Sequence, residues 1–245
     1  MKNSIIRLLK KCLRLLDENK HDSPLPLRRE SYEKKYAVTL REWLIHHQKE
    51  IVFDRMTWMG IKIWKNPLDT WIYQEIIYEV KPDIIVEIGS RYGGSTKFFA
   101  DLLQIMGNGT VISIDPHRDD YTLEHERVIS LTGKSSDPDI LSKVAELCRD
   151  KKVFVIQDGD HSKAQALEDL ENYSGFVSID SYFIMEDGIV DLFHEGDGLG
   201  FKEKEPGPLA ATEAFLEKNP RFISDIDRER YILTYNPKGF LKRIA

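Results

Sequence analysis

Cysteine is nearly absent: 245 residues contain only Cys12 and Cys148, far apart and outside any metal-ligand or redox spacing. This argues against a disulfide framework and a cysteine zinc site, and points to a reducing compartment. Long apolar runs are missing too. None approaches the roughly 20 residues of a membrane-spanning helix, and the N-terminus lacks a signal peptide's uninterrupted apolar core, so a cytoplasmic location is expected. Positive charge is in short supply: a formal net charge of -6 gives no general attraction to nucleic acid, which is not an expected partner. His117, His125, His161 and His194 lie in separate segments without the spacing of a two-His-one-carboxylate iron triad. There is no internal repeat and no low-complexity segment.

What remains, 41% hydrophobic and 31% charged residues, suits one globular domain with extra elements. Residues 2–16 place Ile5, Leu8, Leu9, Cys12, Leu15 and Leu16 at helical spacing among five basic residues, as in a basic amphipathic helix. Two readings stay open. The helix packs on its own domain or a second subunit, or it makes peripheral contact with an anionic membrane surface. Its apolar surface makes a homo-oligomer the expectation. Asp22-Ser23-Pro24-Leu25-Pro26 reads as a linker and 31–49 as helical. We divide the chain into a helical extension, 1–65, and a main domain, 66–245.

From about residue 66, short apolar runs alternate with amphipathic stretches, which predicts βαβ units and an α/β, doubly wound parallel sheet. The predicted strands are Ile84–Ile88, Thr110–Ile114, Arg127–Leu131, Val153–Gln157 and Phe176–Met185, with helices at 95–106, 138–149, 162–172 and 208–218. Phe222–Asp225 and Tyr231–Tyr235 leave no room for a helix between them and predict a closing antiparallel strand pair.

The first of these strands ends in Glu87-Ile88-Gly89-Ser90-Arg91-Tyr92-Gly93-Gly94-Ser95, directly before a helix. Glycines at a strand-to-helix turn let backbone approach a ligand, and the helix offers free N–H groups, so a nucleotide-type ligand is implied. Three residues separate Gly89 from Gly93, which disfavours the G-x-G-x-x-G of a nicotinamide enzyme. The next strand ends in Asp115, where this layout puts a carboxylate within reach of a ribose diol. The third ends in Thr132-Gly133-Lys134-Ser135-Ser136-Asp137, small and polar at the same edge. Two further strand ends present Asp158, Asp160, Glu186 and Asp187, a set that would repel without a cation. A hard divalent ion fits, Mg2+ first, although Asp at such positions is also a common cap. His161 is a reasonable base by its own chemistry, since an ordinary imidazole accepts a proton near neutrality.

Glu87-x-Gly89-x-x-x-Gly93-x-Ser95 followed by Asp115 resembles the cofactor site of class I S-adenosylmethionine methyltransferases. The likeness is to catechol-type O-methyltransferases and to the cephalosporin hydroxylase and rhamnosyl O-methyltransferase family. It covers about residues 55 to 243, including Trp64-Lys65-Asn66-Pro67 and Asn236-Pro237-Lys238-Gly239. The resemblance implies a Rossmann-like methyltransferase sheet. It also implies that Glu87, Gly89 and Ser95 hold the methionine part, Asp115 the ribose, and Ser135 and Ser136 the adenine side. Ser90, Arg91, Gly133 and Asp158 complete the expected cofactor shell; Arg91 departs from the small or aromatic residue often seen there. For the metal-dependent relatives it implies Asp158, Glu186 and Asp187 as ligands and His161 as base, with Asp160 the rival first ligand and Lys163 the fallback base. Methyl transfer to a hydroxyl of a sugar, glycolipid or other natural-product acceptor is the expected reaction. A catechol-like phenol acceptor, or a nicotinamide-dependent oxidoreductase, is the alternative. Trp58, Trp64 and Phe193 are candidates for stacking on the acceptor.

Overall fold

The computed structural model describes residues 30–193 and 206–245; the 2–16 helix, the linker and His194 lie outside them. Contacts divide the chain into two compact units, one through His46 and one from His47 to Ala245.

In the first unit, α1 (Tyr32–Tyr36) is capped by Ser31 and α2 (Leu40–His46) follows. A reciprocal cap starts α2: the Glu42 carboxylate accepts from Thr39 N–H at 2.7 Å, and Glu42 N–H donates to Thr39 Oγ1 at 3.2 Å. Each group satisfies a helix-end atom that would otherwise lack a partner.

The second unit opens with a π-helical turn, His47–Val52, and the hairpin β1 (Thr57–Trp58) and β2 (Ile61–Lys62). Then comes a seven-stranded sheet. Its strands are β3 (Ile84–Ile88), β4 (Thr110–Asp115), β5 (Val128–Thr132), β6 (Val153–Gln157), β7 (Tyr182–Met185), β8 (Phe222–Ser224) and β9 (Phe240–Arg243), in the order β5-β4-β3-β6-β7-β9-β8. β5 through β7 run parallel, while β9 is antiparallel to both β7 and β8. Connections leave β3 in one direction and β6 in the other, so the switch point lies between these neighbours, where ligands of such sheets bind.

Every residue of β3, β6 and β7 is buried, as strands covered on both faces must be. Alternation decides which face each side chain meets. Ile85, Val111, Phe154 and Ile156 pack with α3 (Pro67–Val80) and α4 (Gly94–Met106). Val86, Ile112, Val153 and Val155 pack with α5 (Pro138–Cys148), α6 (Lys163–Tyr173) and α7 (Pro208–Lys218).

Two expected strands differ. Phe176–Met185 is extended only from Tyr182, because its first half turns through Asp180 at φ +61°. Tyr231–Tyr235 is not a strand: the partner of β8 is β9. The 231–236 segment instead spends its polar groups inward, with Thr234 Oγ1 and Tyr235 N–H both donating to buried Asp69 at 2.6 and 2.8 Å.

Candidate active site

A cavity of about 630 Å³ opens at the carboxyl edge of the sheet, walled by the loops after β3, β4, β5 and β6. The first loop presses on the last: Gly89 has φ +85°, and a Cβ there would overlap the Asp158 carbonyl. Asp115 ties this wall together. Its Oδ2 accepts the N–H groups of Ser90 (3.0 Å) and Arg91 (2.8 Å), and its Oδ1 accepts that of His117 (2.8 Å). From below, the Arg118 guanidinium donates to Ser90 Oγ at 2.7 Å and to the carbonyls of Ser113 and Leu131 at 2.7 and 3.0 Å. Loop, β4 and β5 are thereby joined by one planar group with its donors in a fixed fork.

Gly89, Ser90, Arg91, Ser95, Asp115, Gly133, Ser135 and Asp158 all line this cavity. Glu87 and Ser136 are not part of its lining. Glu87 is fully buried behind the loop, its Oε2 accepting from Thr96 Oγ1, and burial raises its pKa to about 6 against the opposing pull of Lys65, Ser95 and Thr96. Arg91 is exposed, its guanidinium above the Trp64 and Tyr92 rings at 5.8 and 5.5 Å from their centroids.

Beside these loops, the ligand atoms of Asp158, His161 and Asp187 lie within 4.8 Å of one another. His161 Nε2 is 3.3 Å from Asp187 Oδ2, and its Nδ1 is buried without a hydrogen-bond partner. Asp187 sits at φ +57°, where its N–H donates to Asn236 Oδ1 at 3.1 Å. Burial raises the pKa values of both Asp158 and Asp187; Lys65 opposes this at Asp158, and His161 opposes it at Asp187. Asp160 is turned to another task. Its Oδ1 accepts Ser162 N–H at 2.7 Å ahead of α6, and the Ser162 hydroxyl together with that N–H lowers its pKa. Lys163 is the first residue of α6, with its N–H bound to Pro206 O at 2.9 Å.

Glu186 stands apart from that cluster. It is 2% exposed, with Oε2 accepting from Lys65 Nζ and Oε1 from Tyr73 OH at 2.6 Å. Burial pushes its pKa up to about 7, with Lys65 and Tyr73 opposing. Lys65 Nζ also donates to Asp158 Oδ2. Among the described residues, sequence reasoning passed over Lys65 as a site residue, together with Tyr73 and Arg118; nothing local marks a lysine that meets its partners 93 and 121 positions away.

The cavity is also lined by Gln48, Phe53, Trp64 and Tyr235. Trp64 packs edge-on against both Phe53 and Tyr92, with centroids 5.2 Å apart in each case. Tyr235 OH meets His47 Nδ1 at 2.8 Å, and Gln48 Oε1 is buried without a partner. Trp58 faces elsewhere, donating to Asp101 at 2.7 Å and packing on Phe98. No helix among the described residues is long and apolar enough to cross a membrane.

The family described as Rhamnosyl O-methyltransferase/CmcI matches residues 50–244. A rhamnosyl O-methyltransferase of Mycobacterium tuberculosis is 32% identical over 201 residues, which span 79% of this chain and 80% of that protein. Its counterpart in Mycobacterium leprae is 32% identical over 199 residues, 78% of this chain and 85% of the relative. Among solved structures, CmcI with Mg and SAM superposes with a TM-score of 0.61 at 20% identity, covering 92% of this chain and 88% of that one, a likeness of fold. With the cofactor-type cavity at the switch point of the sheet and these matches along most of its length, the chain belongs to the Rhamnosyl O-methyltransferase/CmcI family of S-adenosylmethionine-dependent O-methyltransferases.

Proposed function

We propose that the protein transfers the methyl group of S-adenosylmethionine to a hydroxyl of a sugar-containing small molecule, with Mg2+ or another divalent ion at the carboxylates. The observation that carries this is the convergence of Asp158, His161 and Asp187 on the same cavity that the 89–95 loop and Asp115 line. The donor set fits: two carboxylates with raised pKa values stand close enough to share one ion, and oxygen ligands suit magnesium. The rhamnosyl name of the curated relatives supports a sugar acceptor.

When bound, the donor supplies an electrophilic methyl group and the divalent ion lowers the pKa of the acceptor hydroxyl. This chain's residues do the rest. Gly89, Ser90 and Ser95 bind the methionine part, and Asp115 takes the ribose. Three of the roughly four acceptor positions of the Asp115 carboxylate are already filled by backbone N–H groups, which leaves it one strong hydroxyl contact rather than two. Gly133 and Ser135 flank the adenine side. Asp158 and Asp187 hold the ion, and Glu186 is a third ligand to the extent that it turns from Lys65. His161, which lines the cavity, removes the acceptor's proton, and Asp187 beside its Nε2 orients the ring. Trp64 and Phe53 offer the apolar face, and Gln48 and Tyr235 the polar groups, against which a sugar ring can be placed in line with the methyl group.

The test is methyl transfer from labelled S-adenosylmethionine to a simple rhamnoside. EDTA should abolish it, and added magnesium should restore it, while S-adenosylhomocysteine still binds in EDTA. Full turnover in EDTA would remove the metal from the reading.

A further inference from the structure

Lys65 is 3% exposed, and its ammonium lies between two carboxylates, Asp158 and Glu186. It reaches them from a side other than the cavity. Asp158, His161 and Asp187 line the cavity, whereas Lys65 and Glu186 do not. The lysine has little freedom to leave. It directly precedes Asn66, which caps α3 by accepting Leu68 N–H at 3.2 Å and donates to Asp69 at 3.0 Å. Glu186 is fixed on its other side by Tyr73, which in turn accepts from Asn236 Nδ2 at 2.6 Å.

We infer that Lys65 is the carboxylate cluster's own counter-cation: it holds Asp158 and Glu186 in place without any ion and opposes the divalent ion that binds from the cavity side. This rests on the metal reading above. Two cations sharing Asp158 repel each other, and around a buried lysine solvent shields that repulsion only weakly. Glu186, paired with the lysine, is open to the ion only as far as that pair gives way. With its ammonium donating to both Asp158 and Glu186, Lys65 is engaged as a cation and has no free lone pair to take an acceptor's proton. Lys65 is therefore a positioning residue, and the base has to be found elsewhere.

Competition for shared carboxylates fixes the direction of the test. Lys65→Met removes one charge and frees Glu186, so the metal-free protein should melt lower than the wild type. Its Mg2+ dissociation constant, from calorimetric titration of the full chain, should be about tenfold tighter or more, and the Mg2+-induced rise in melting temperature should be larger than in the wild type. A lysine with only a structural role would leave Mg2+ affinity unchanged or weaken it on removal, and either result would overturn the inference. If Lys65→Met does not fold without the ion, Lys65→Gln is titrated in its place, with the same expected tightening. Mg2+ binding to neither the wild type nor these variants would overturn the metal reading and this inference with it; binding to the wild type that the variants leave unaltered would overturn the inference alone.

Discussion

Asp115 meets any ligand already committed to three N–H groups, so its removal acts on the protein as well as on the cofactor. Asp115→Ala leaves those donors short of partners, and S-adenosylhomocysteine should bind at least about tenfold more weakly while the melting temperature falls by several degrees. Calorimetry and a thermal melt check the two effects separately; unchanged affinity would take Asp115 out of the ribose site. His161→Ala should divide differently. Turnover should drop by about 100-fold to 10,000-fold with S-adenosylhomocysteine affinity kept, as for the loss of a general base. A drop below about threefold would return the role to another group. Both residues were legible in the sequence because they sit at strand ends, one directly and one three positions on from Asp158. Lys65 was not. Between Trp64 and Asn66, this lysine carries no mark of burial until the fold brings Asp158 and Glu186 to it.

At the scale of elements, α3 and the 234–236 segment are joined by a buried polar network centred on Asp69. Burial raises the pKa of Asp69 to about 7, although Thr234, Tyr235 and Asn66 all donate to it and pull the other way. Between about 4 and about 7 the folded protein therefore keeps a proton that the unfolded chain has released. The folded state binds more protons there, so this group's contribution to stability is greatest near the bottom of that window and declines as pH rises through it. Urea midpoints at pH 5 and pH 8 should show the loss, and Asp69→Asn, which cannot ionise, should reduce the difference. An undiminished difference would assign the pH dependence to other buried carboxylates. The same network explains why one expected strand failed. Ile84–Ile88 and Val153–Gln157 match the predicted spans because continuous apolar runs are what a doubly covered strand requires. Tyr231–Tyr235 looks equally apolar and aromatic, but Thr234 and Tyr235 serve hydrogen bonds within the fold, and Pro237 stands two residues on.

For the whole molecule, residues 47–245 form a compact unit that contains the sheet, both hydrophobic layers and the cavity. A chain starting at His47 should fold cooperatively and bind S-adenosylhomocysteine within about threefold of the full chain, since the residues proposed to contact it lie on the sheet edge. Non-cooperative melting would show that the first 46 residues complete the core. We further propose that the basic segment at 2–16 serves assembly. Light scattering before and after its removal tests this, and an unchanged mass would mean it serves something else.

The position of β9 has a consequence for how the molecule is made. It is the last of the sheet's strands in sequence, yet it lies between β7 and β8 rather than at an edge. While the chain is being synthesised, β7 therefore waits with one side open, and β8 has no neighbour in the sheet until residues 240–243 have left the ribosome. A nascent chain stalled before Phe240 exposes the edge of a wholly buried apolar strand, a template for pairing with other chains. Truncation before Phe240 should accordingly yield aggregate rather than a weakened enzyme.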